Sequence, residues 1–477
     1  MGAEGFIGID FGSAYTSIVN VTGGKVSVLG EDVETPFAAL LAITAENKVY
    51  FGSRVKKGRE ALSETAKLVT SLSELLGTGK AIVINGKECS PRQMVAEYFK
   101  ALKRVIMKKY STDITEAVIS FPGTLSHAAR LDILAAAKKA EIIVKGFIPE
   151  HYAVYLAVKK ELAKKTSVMI ADWGGRSLDI HILMNDGEKL RERVSFCEKI
   201  GGRDIDLRLA ARLHTMLGEL VGDKSTVVAF EKMPAADRDK LIELAEAAKL
   251  RISTAGGEVQ VSVTNYGSYG SHSVTLTEEI FAEVVKPIVK EHVMTSINAV
   301  MSRVRLKASD IGAVVACGGS GGLRSFTGVL RSVFGEDKVV IPEKPQFISA
   351  CGAAIYSDKQ DNGGKFRLLE DIGVLMSDDN IFPLLKRDSD AEGLKSTVYS
   401  FAPVDDQQEA QVVIADGRGR IKGNAAVPVK GLLNERLEIS ALVDEAFTAC
   451  VRIHNSTETD SANDTVLELE SAGLYFS

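Results

Sequence analysis

Two short stretches of this chain bring a carboxylate, small residues and a hydroxyl together at the end of an apolar run. The first, FIGIDFGSAYTSIVNV at 6–21, carries Asp10, Gly12 and Ser13. The second, VMIADWGGRSLDIHIL at 168–183, carries Asp172, Gly174, Gly175 and Ser177. A glycine turn lets backbone N–H groups approach phosphate oxygens closely, and an aspartate at a strand end can hold a hydrated Mg²⁺. Two such turns facing each other would clamp the phosphate tail of a nucleotide. A third turn, Gly318-Gly319-Ser320-Gly321-Gly322, follows the apolar run IGAVVA and Cys317, and its bare backbone could lie against an adenosine. Each turn alone is more often just a turn that needs a small residue. The match of Asp10-Phe11-Gly12 to Asp172-Trp173-Gly174, with the order and spacing of all three, points instead to a duplicated phosphate-binding hairpin.

Each of the two stretches reads as a strand, a tight turn and a second strand. Between and after them, helical patterns cover 91–109, 126–140, 233–253 and 277–305. Strand hairpins alternate with helices up to about Asp358, the texture of an α/β domain. Residues 359–365, KQDNGGK, read as a linker by composition. From 366 onward come short alternating strands, among them STVYSF, AQVVIA, ERLEISALV and FTACVRI, which suggest an all-β, sandwich-like domain of about 100 residues. The expected division is a nucleotide-binding domain at 1–358, a linker at 359–374 and a β-rich domain at 375–477.

With 477 residues the chain exceeds what one core usually supports. A net charge of −5 gives no broad pull toward nucleic acid or anionic membrane, and no nucleic-acid motif is present. Five scattered cysteines without CxxC spacing suggest reduced thiols, hence a cytoplasmic setting. No secretory signal and no run of about eighteen apolar residues is seen, so no membrane span is expected. In that setting the Asn-x-Ser/Thr triplets at Asn20, Asn455 and Asn463 are chance matches.

At its turns the sequence resembles the actin-like ATPases, and among them the DnaK-type seventy-kilodalton heat-shock chaperones. The resemblance runs from 6 to about 357 through GIDFGSAYTS at 8–17, AVISFPGTLSHAAR at 117–130, FIPEHYAVYLAV at 147–158 and ADWGGRSLD at 171–179. It continues through IGGRDIDLRL at 200–209, AEAAKLRIS at 245–253, ACGGSGGLRS at 316–325 and CGAA at 351–354. It implies an actin-like domain of two duplicated lobes that binds ATP or ADP with Mg²⁺. Metal-side carboxylates would be Asp10, Asp172 and Asp179, with Glu150 lining the site. Phosphate contacts would come from Gly12, Ser13, Tyr15, Gly174, Gly175, Gly201 and Gly202. Adenosine contacts would come from Glu246, Lys249, Ser253, Gly318, Gly319 and Ser320; without the resemblance, Glu246 and Lys249 would read as a solvated helix face.

The chain departs from the family where hydrolysis is carried out. The family's catalytic lysine stands in a segment that matches KLVTSLSELLG at 67–77, and its position falls on Ser73. Losing a cation beside the transferring phosphate should slow hydrolysis severely. Arg176 replaces a third glycine, where it could crowd the γ-phosphate or supply charge by another route. Ala14 replaces a hydroxyl. The two arginines that sandwich adenine align with Leu250 and Gly322, an aspartate near the base aligns with Gln346, and Arg324 lies close by as a substitute. Residues 366–477 are enough for a β-sandwich but not for the family's helical lid.

The preferred expectation is a degenerate chaperone homologue that binds ATP with little or no hydrolysis and acts as a partner-binding scaffold or co-chaperone. In its shortness and degeneracy it is similar to the Ssz-type member of the ribosome-associated complex, which implies a zuotin-type J-domain protein and the ribosome as partners, with nascent or unfolded polypeptide as a further one. The alternative is a hydrolysing ATP-driven chaperone whose catalytic cation has moved, to Arg176 or a lysine such as Lys67. A sugar or acetate kinase would need a substrate domain with its own base, and nothing points to a polymerising interface. The β-rich tail could keep a peptide groove, pair its edges with a partner strand or be a plain structural sandwich.

Overall fold

The structure is a computed structural model, and it describes residues 5–58, 62, 65–162, 164–361, 365–403, 407–458, 463–469 and 473–477. Two sheets carry the repeated hairpins. In the first, strands follow the order Ile143–Pro149, Glu116–Phe121, Phe6–Phe11, Tyr15–Thr22, Lys25–Val28, and Phe37–Ala38 pairs off Tyr15–Thr22. In the second, the order begins Val339–Val340, Ala313–Cys317, Ser167–Trp173, Leu178–Asn185, Leu190–Glu198. In both, three parallel strands lead into an antiparallel hairpin and one further antiparallel strand. The duplication read from the motifs is therefore a duplication of topology. It also fixes equivalent positions, since Asp10 faces Ser17 across its hairpin and Asp172 faces Asp179 across the other.

Each sheet has its own apolar core. Ile7, Ile9, Phe11 and Ile119 pack with helix Pro91–Tyr110, while Ile170, although in the second sheet, faces the core shared with the tail. Met169, Ala171, Trp173, Ile180 and Ile182 pack with helices Glu278–Ile288 and Arg324–Phe334. The strand Ser167–Trp173 is buried along both faces except at Asp172, so its near-continuous apolar sequence fits a covered parallel sheet. Helix Pro91–Tyr110 starts where the sequence signals it, with proline at its first turn and a reciprocal cap between Ser90 and Gln93. The helix expected over 277–305 is continuous but passes through a π-helical stretch at Val289–Val293, just after Pro287.

Two helices cross beneath the cleft between the sheets, Glu150–Ala157 and Ile348–Asp361. They approach closely because Gly352 lines their contact, where a Cβ would lie 1.8 Å from the Ala153 carbonyl oxygen; strand Phe6–Phe11 meets the second helix in the same way, a Cβ at Gly8 lying 2.0 Å from the Ala350 carbonyl oxygen. Each lobe carries an outer subdomain. One is the small sheet of Leu40–Thr44, Val49–Phe51 and Ala66–Thr70; the other packs helices Gly202–Leu220 and Ala235–Ala255 against the hairpin Glu258–Val263 and His272–Thr277.

The region after 366 contains two four-stranded antiparallel sheets. One orders Ile381–Leu385, Ile372–Leu375, Glu409–Asp416, Ile421–Pro428; the other Tyr399–Phe401, Leu437–Val443, Ala449–Asn455, Thr465–Leu469. Leu437–Val443 alternates buried and outward residues, as its sequence does. Two features depart from a simple linker and tail. Helix Ile348–Asp361 runs into the range whose composition suggests a linker, and residues 362–364 lie outside the described residues. Strands Phe366–Leu368 and Leu474–Phe476 do not join the sandwich; they extend the second sheet of the nucleotide-binding region, Leu474–Phe476 pairing Leu190–Glu198 and Phe366–Leu368 pairing Leu474–Phe476. The sandwich also touches the first lobe, where buried Arg130 donates to the Ala446 carbonyl at 2.7 Å and to Thr448 Oγ1 at 2.6 Å. Among the described residues, no helix is long and apolar enough to cross a membrane.

Candidate functional site

The two repeated turns meet across the cleft. A Cβ at Gly175 would lie 2.7 Å from that of Ala14 and 4.0 Å from Ser13 Oγ, so glycine is what permits this approach. Behind the second turn stands the start of helix Gly202–Leu220. The Gly202 N–H donates to the Gly174 carbonyl at 3.0 Å and that of Arg203 to the Gly175 carbonyl at 3.0 Å. A Cβ at Gly201 would fall 2.3 Å from the Arg176 nitrogen, so only glycine fits there. A helix N-terminus against a glycine turn is a favourable place for phosphate. The third turn joins the same group: the Ser320 N–H donates to the Trp173 carbonyl at 2.8 Å, and Ser320 Oγ is 2.9 Å from where a Gly202 Cβ would be. Gly318 has φ +82°, and a Cβ there would lie 2.3 Å from Asp172 Oδ1. The structure thus brings together Gly174, Gly175, Gly201, Gly202, Gly318 and Ser320 around Asp172, with Ser13 and Ala14 opposite.

The carboxylates converge at the strand ends. Burial and then the charge of Asp172 push the Asp10 carboxyl up to about 7, against a hydrogen bond from Ser120. Burial and then Asp179 push Asp172 up to about 7 as well. Glu150, at the start of its helix, is raised well above the usual range by burial and by Asp10, Asp172 and Asp179. Ser177 donates to Asp179 Oδ2 at 2.6 Å, so this hydroxyl serves the carboxylate directly. Such a desolvated, mutually repelling group is suited to a hydrated divalent cation, which would hold the carboxylates ionised. Asp10, Asp172 and Glu150 would face that cation.

On the adenosine side the contacts are more specific than the sequence alone conveys. Tyr15 donates to Glu246 Oε1 at 2.6 Å, while Lys56 Nζ donates to the Tyr15 hydroxyl at 2.7 Å and to Glu246 Oε2 at 2.7 Å. Tyr15 and Glu246 are thus engaged with each other and with a lysine that sequence reasoning missed; Lys56 sits in a short helix, Ser53–Lys57, with nothing to mark it apart from surface lysines. Burial works to raise the Glu246 carboxyl, and the Lys56 charge and hydrogen bonds outweigh it, leaving it below its ordinary value. Lys249 is 7% exposed, bonded to Asp206 at 2.8 Å and to the Gly202 carbonyl at 3.1 Å, so it is no solvated helix face. Ser253 donates to the Lys249 carbonyl of its own helix at 2.6 Å. Arg324 pairs with Glu278 at 2.8 Å, and the Gln346 side chain donates to the Glu34 carbonyl at 2.8 Å. Gly12 and Gly319 complete the first and third turns.

Ser73 lies in the short helix Leu72–Leu75. Arg176 reaches that segment from the opposite turn, donating to Ser71 Oγ at 2.7 Å and lying 3.3 Å from Glu74 Oε1. Lys67 is exposed on strand Ala66–Thr70.

Comparison with known proteins bears on the same region of the chain. The profile of the Hsp70 protein family matches residues 6–372. The chaperone protein DnaK of Mycoplasmopsis pulmonis (strain UAB CTIP) is 26% identical over 434 residues, a span that covers 87% of this chain and 69% of that protein. A match that begins in the strand leading into the first glycine turn, passes through all three turns and ends in the strand that opens the tail leaves one assignment: the chain belongs to the Hsp70 family, with its actin-like ATPase domain.

Proposed function

We propose that this protein binds ATP with Mg²⁺, hydrolyses it little or not at all, and works as a partner-binding scaffold within the chaperone machinery. Hsp70 proteins in general bind ATP or ADP with Mg²⁺, unfolded polypeptides and J-domain proteins. The observation that carries the reading is the pairing of two facts at one place. Asp10, Asp172 and Glu150 remain convergent, while the segment that should bring a lysine to the phosphate offers Ser73 and binds Arg176 through Ser71 and Glu74. A guanidinium neutralised by Glu74 is poorly placed to stabilise charge on a transferring phosphate. Together with Lys56–Glu246 it makes a second bridge across the cleft, which favours a closed, nucleotide-holding state.

The finer reading is an Ssz-type role, in which a zuotin-type J-domain protein and the ribosome are the partners. It is supported by the loss of the catalytic lysine position and by outer strands of the tail, where Ile421 and Val466 are exposed on sheet edges that another strand could pair. One observation favours a second reading: Arg176 lies beside the segment that carries Ser73, so a hydrolysing chaperone with a displaced cation is the alternative.

Single-turnover hydrolysis on the full chain, with bound nucleotide identified by mass spectrometry, tests the proposal. Bound ATP that persists in the wild type and is hydrolysed in Ser73→Lys is the expected result. Turnover by the wild type that a J-domain protein stimulates would overturn it. Recovery of neither ribosomes nor a J-domain protein on affinity capture would remove the Ssz-type assignment while leaving the nucleotide chemistry standing.

A further inference from the structure

Beside the nucleotide carboxylates lies a buried group that they do not use. His151 follows Glu150 in helix Glu150–Ala157, His181 lies on strand Leu178–Asn185, and Glu192 lies on the adjoining strand Leu190–Glu198. The two imidazole rings stack with centroids 4.1 Å apart and planes 23° from parallel. His181 Nδ1 is 2.7 Å from Glu192 Oε1, and His151 Nε2 is 3.8 Å from the same oxygen. Both histidines are 5% exposed. Neither ring nitrogen of His151 has a hydrogen-bond partner among the described residues.

An imidazole in that position is expensive. A buried polar group without a hydrogen-bond partner loses its hydration uncompensated, and here two nitrogens of one ring are left so. Imidazole nitrogens and a carboxylate oxygen form a donor set suited to borderline divalent ions.

We propose that His151, His181 and Glu192 bind one divalent transition-metal ion of the zinc class, with a water molecule as the fourth ligand. The three ligand atoms lie within 4.8 Å of one another. Tetrahedral zinc, with bonds of about 2.0–2.2 Å, needs them about 3.3 Å apart, so small side-chain shifts close the site. The ion takes the place of the His181–Glu192 hydrogen bond and gives His151 the partner it lacks. It ties the helix that begins with Glu150 to the second sheet. Next to it, the Glu192 N–H donates to the Tyr152 hydroxyl at 3.1 Å, and that hydroxyl donates to the Leu474 carbonyl at 3.0 Å. The site therefore stands on the wall between the nucleotide carboxylates and strand Leu474–Phe476. A second histidine group, His127 with Asp444 and Cys450, differs in being half-buried, with its ring nitrogens 2.5 Å from Asp444 and 2.9 Å from Glu468.

The test uses the full chain without a histidine tag, stripped with chelator and titrated with Co²⁺ as an optical probe, then with Zn²⁺ in competition. The expected result is one equivalent bound, with the visible absorption of tetrahedral cobalt, displaced by Zn²⁺. Binding should vanish in His181→Ala, weaken by more than the roughly tenfold of an outer-shell change in Glu192→Gln, and persist in His127→Ala. Circular dichroism checks that the variants fold, and the near-isosteric Glu192→Gln keeps the test open if His181→Ala does not. Failure of the wild type to bind at submillimolar metal, or full binding by folded Glu192→Gln and His181→Ala, would overturn the proposal.

Discussion

Lys56 Nζ lies 2.7 Å from Glu246 Oε2, joining the outer subdomains of the two lobes over the mouth of the cleft. The Tyr15 hydroxyl completes a three-membered ring of hydrogen bonds with them. Both charged side chains remain about a quarter exposed or less, so the pair is partly screened and worth about 1 kcal/mol. Lys56→Ala or Glu246→Gln should accelerate nucleotide release roughly 3- to 10-fold in stopped-flow experiments with labelled ATP. Unchanged release rates would mean that the cleft is closed by other contacts.

Arg176 and Ser73 make separable predictions. Because the guanidinium is held by Ser71 and Glu74, Arg176→Gly should leave single-turnover hydrolysis at the wild-type level. Ser73→Lys should raise it on the order of 10²-fold, the scale of one well-placed charge in a transition state. A fall in hydrolysis in Arg176→Gly would identify this arginine as the displaced cation.

At Gly318 a side chain is excluded twice, by φ of +82° and by the 2.3 Å approach to Asp172 Oδ1. Gly318→Ala should therefore displace the third turn or Asp172 and weaken nucleotide binding about tenfold or more by calorimetry. Gly24→Ala, also at positive φ but with open space around it, serves as the control and should bind normally.

The carboxylates give a pH dependence of definite sign. Asp10 and Asp172 have folded pKa values of about 7, above the ordinary 3.8, so the folded state holds protons that the unfolded chain has released. Their contribution is present below about pH 4 and is lost as pH rises toward 7. His151 acts in the opposite direction: with a folded pKa of about 3 against 6.5, its contribution is lost as pH falls from 6.5 toward 3. Asp172→Asn should raise the melting temperature of nucleotide-free protein at pH 7.5 more than at pH 5, and should reduce the further rise produced by Mg²⁺ and ATP. Equal effects at both pH values would show that Asp172 is ionised throughout.

Phe476 is buried against Tyr356 and Phe366. Phe476→Ala should remove roughly 3 kcal/mol of local stability. Hydrogen exchange should then show loss of protection at Phe366–Leu368, which reaches the sheet through Leu474–Phe476. Protection that survives would mean that the tail is held by its contacts with Arg130 instead.

What could be read from the chain was local. Asp10-Phe11-Gly12 and Asp172-Trp173-Gly174 declare their turns within a few residues, and the helical pattern over 91–109 matches helix Pro91–Tyr110 in the same way. The α/β character and the alternating strands of the tail follow from periodicity over short windows. Long-range pairings leave no such mark. Lys56 and Glu246 are far apart in sequence, as are Phe366 and Phe476, and no nearby residue pattern announces either contact. His151 and His181 were visible as residues, but their burial and stacking depend on how a helix crosses a sheet. Arg176 was visible as a departure, and its bond to Ser71 could be seen only in three dimensions.

The strand Leu474–Phe476 lies between Leu190–Glu198 and Phe366–Leu368, so the sandwich is entered and left along one sheet edge. A body attached by a single tether can swivel freely; one fastened at two adjacent points can turn only about the line that joins them. Pulling on either strand loads the other, and freeing Leu474–Phe476 frees Phe366–Leu368 with it. The reverse does not hold: Phe366–Leu368 is the outermost strand and can part from a Leu474–Phe476 that stays on Leu190–Glu198, so release of the sandwich has an order, outer strand first.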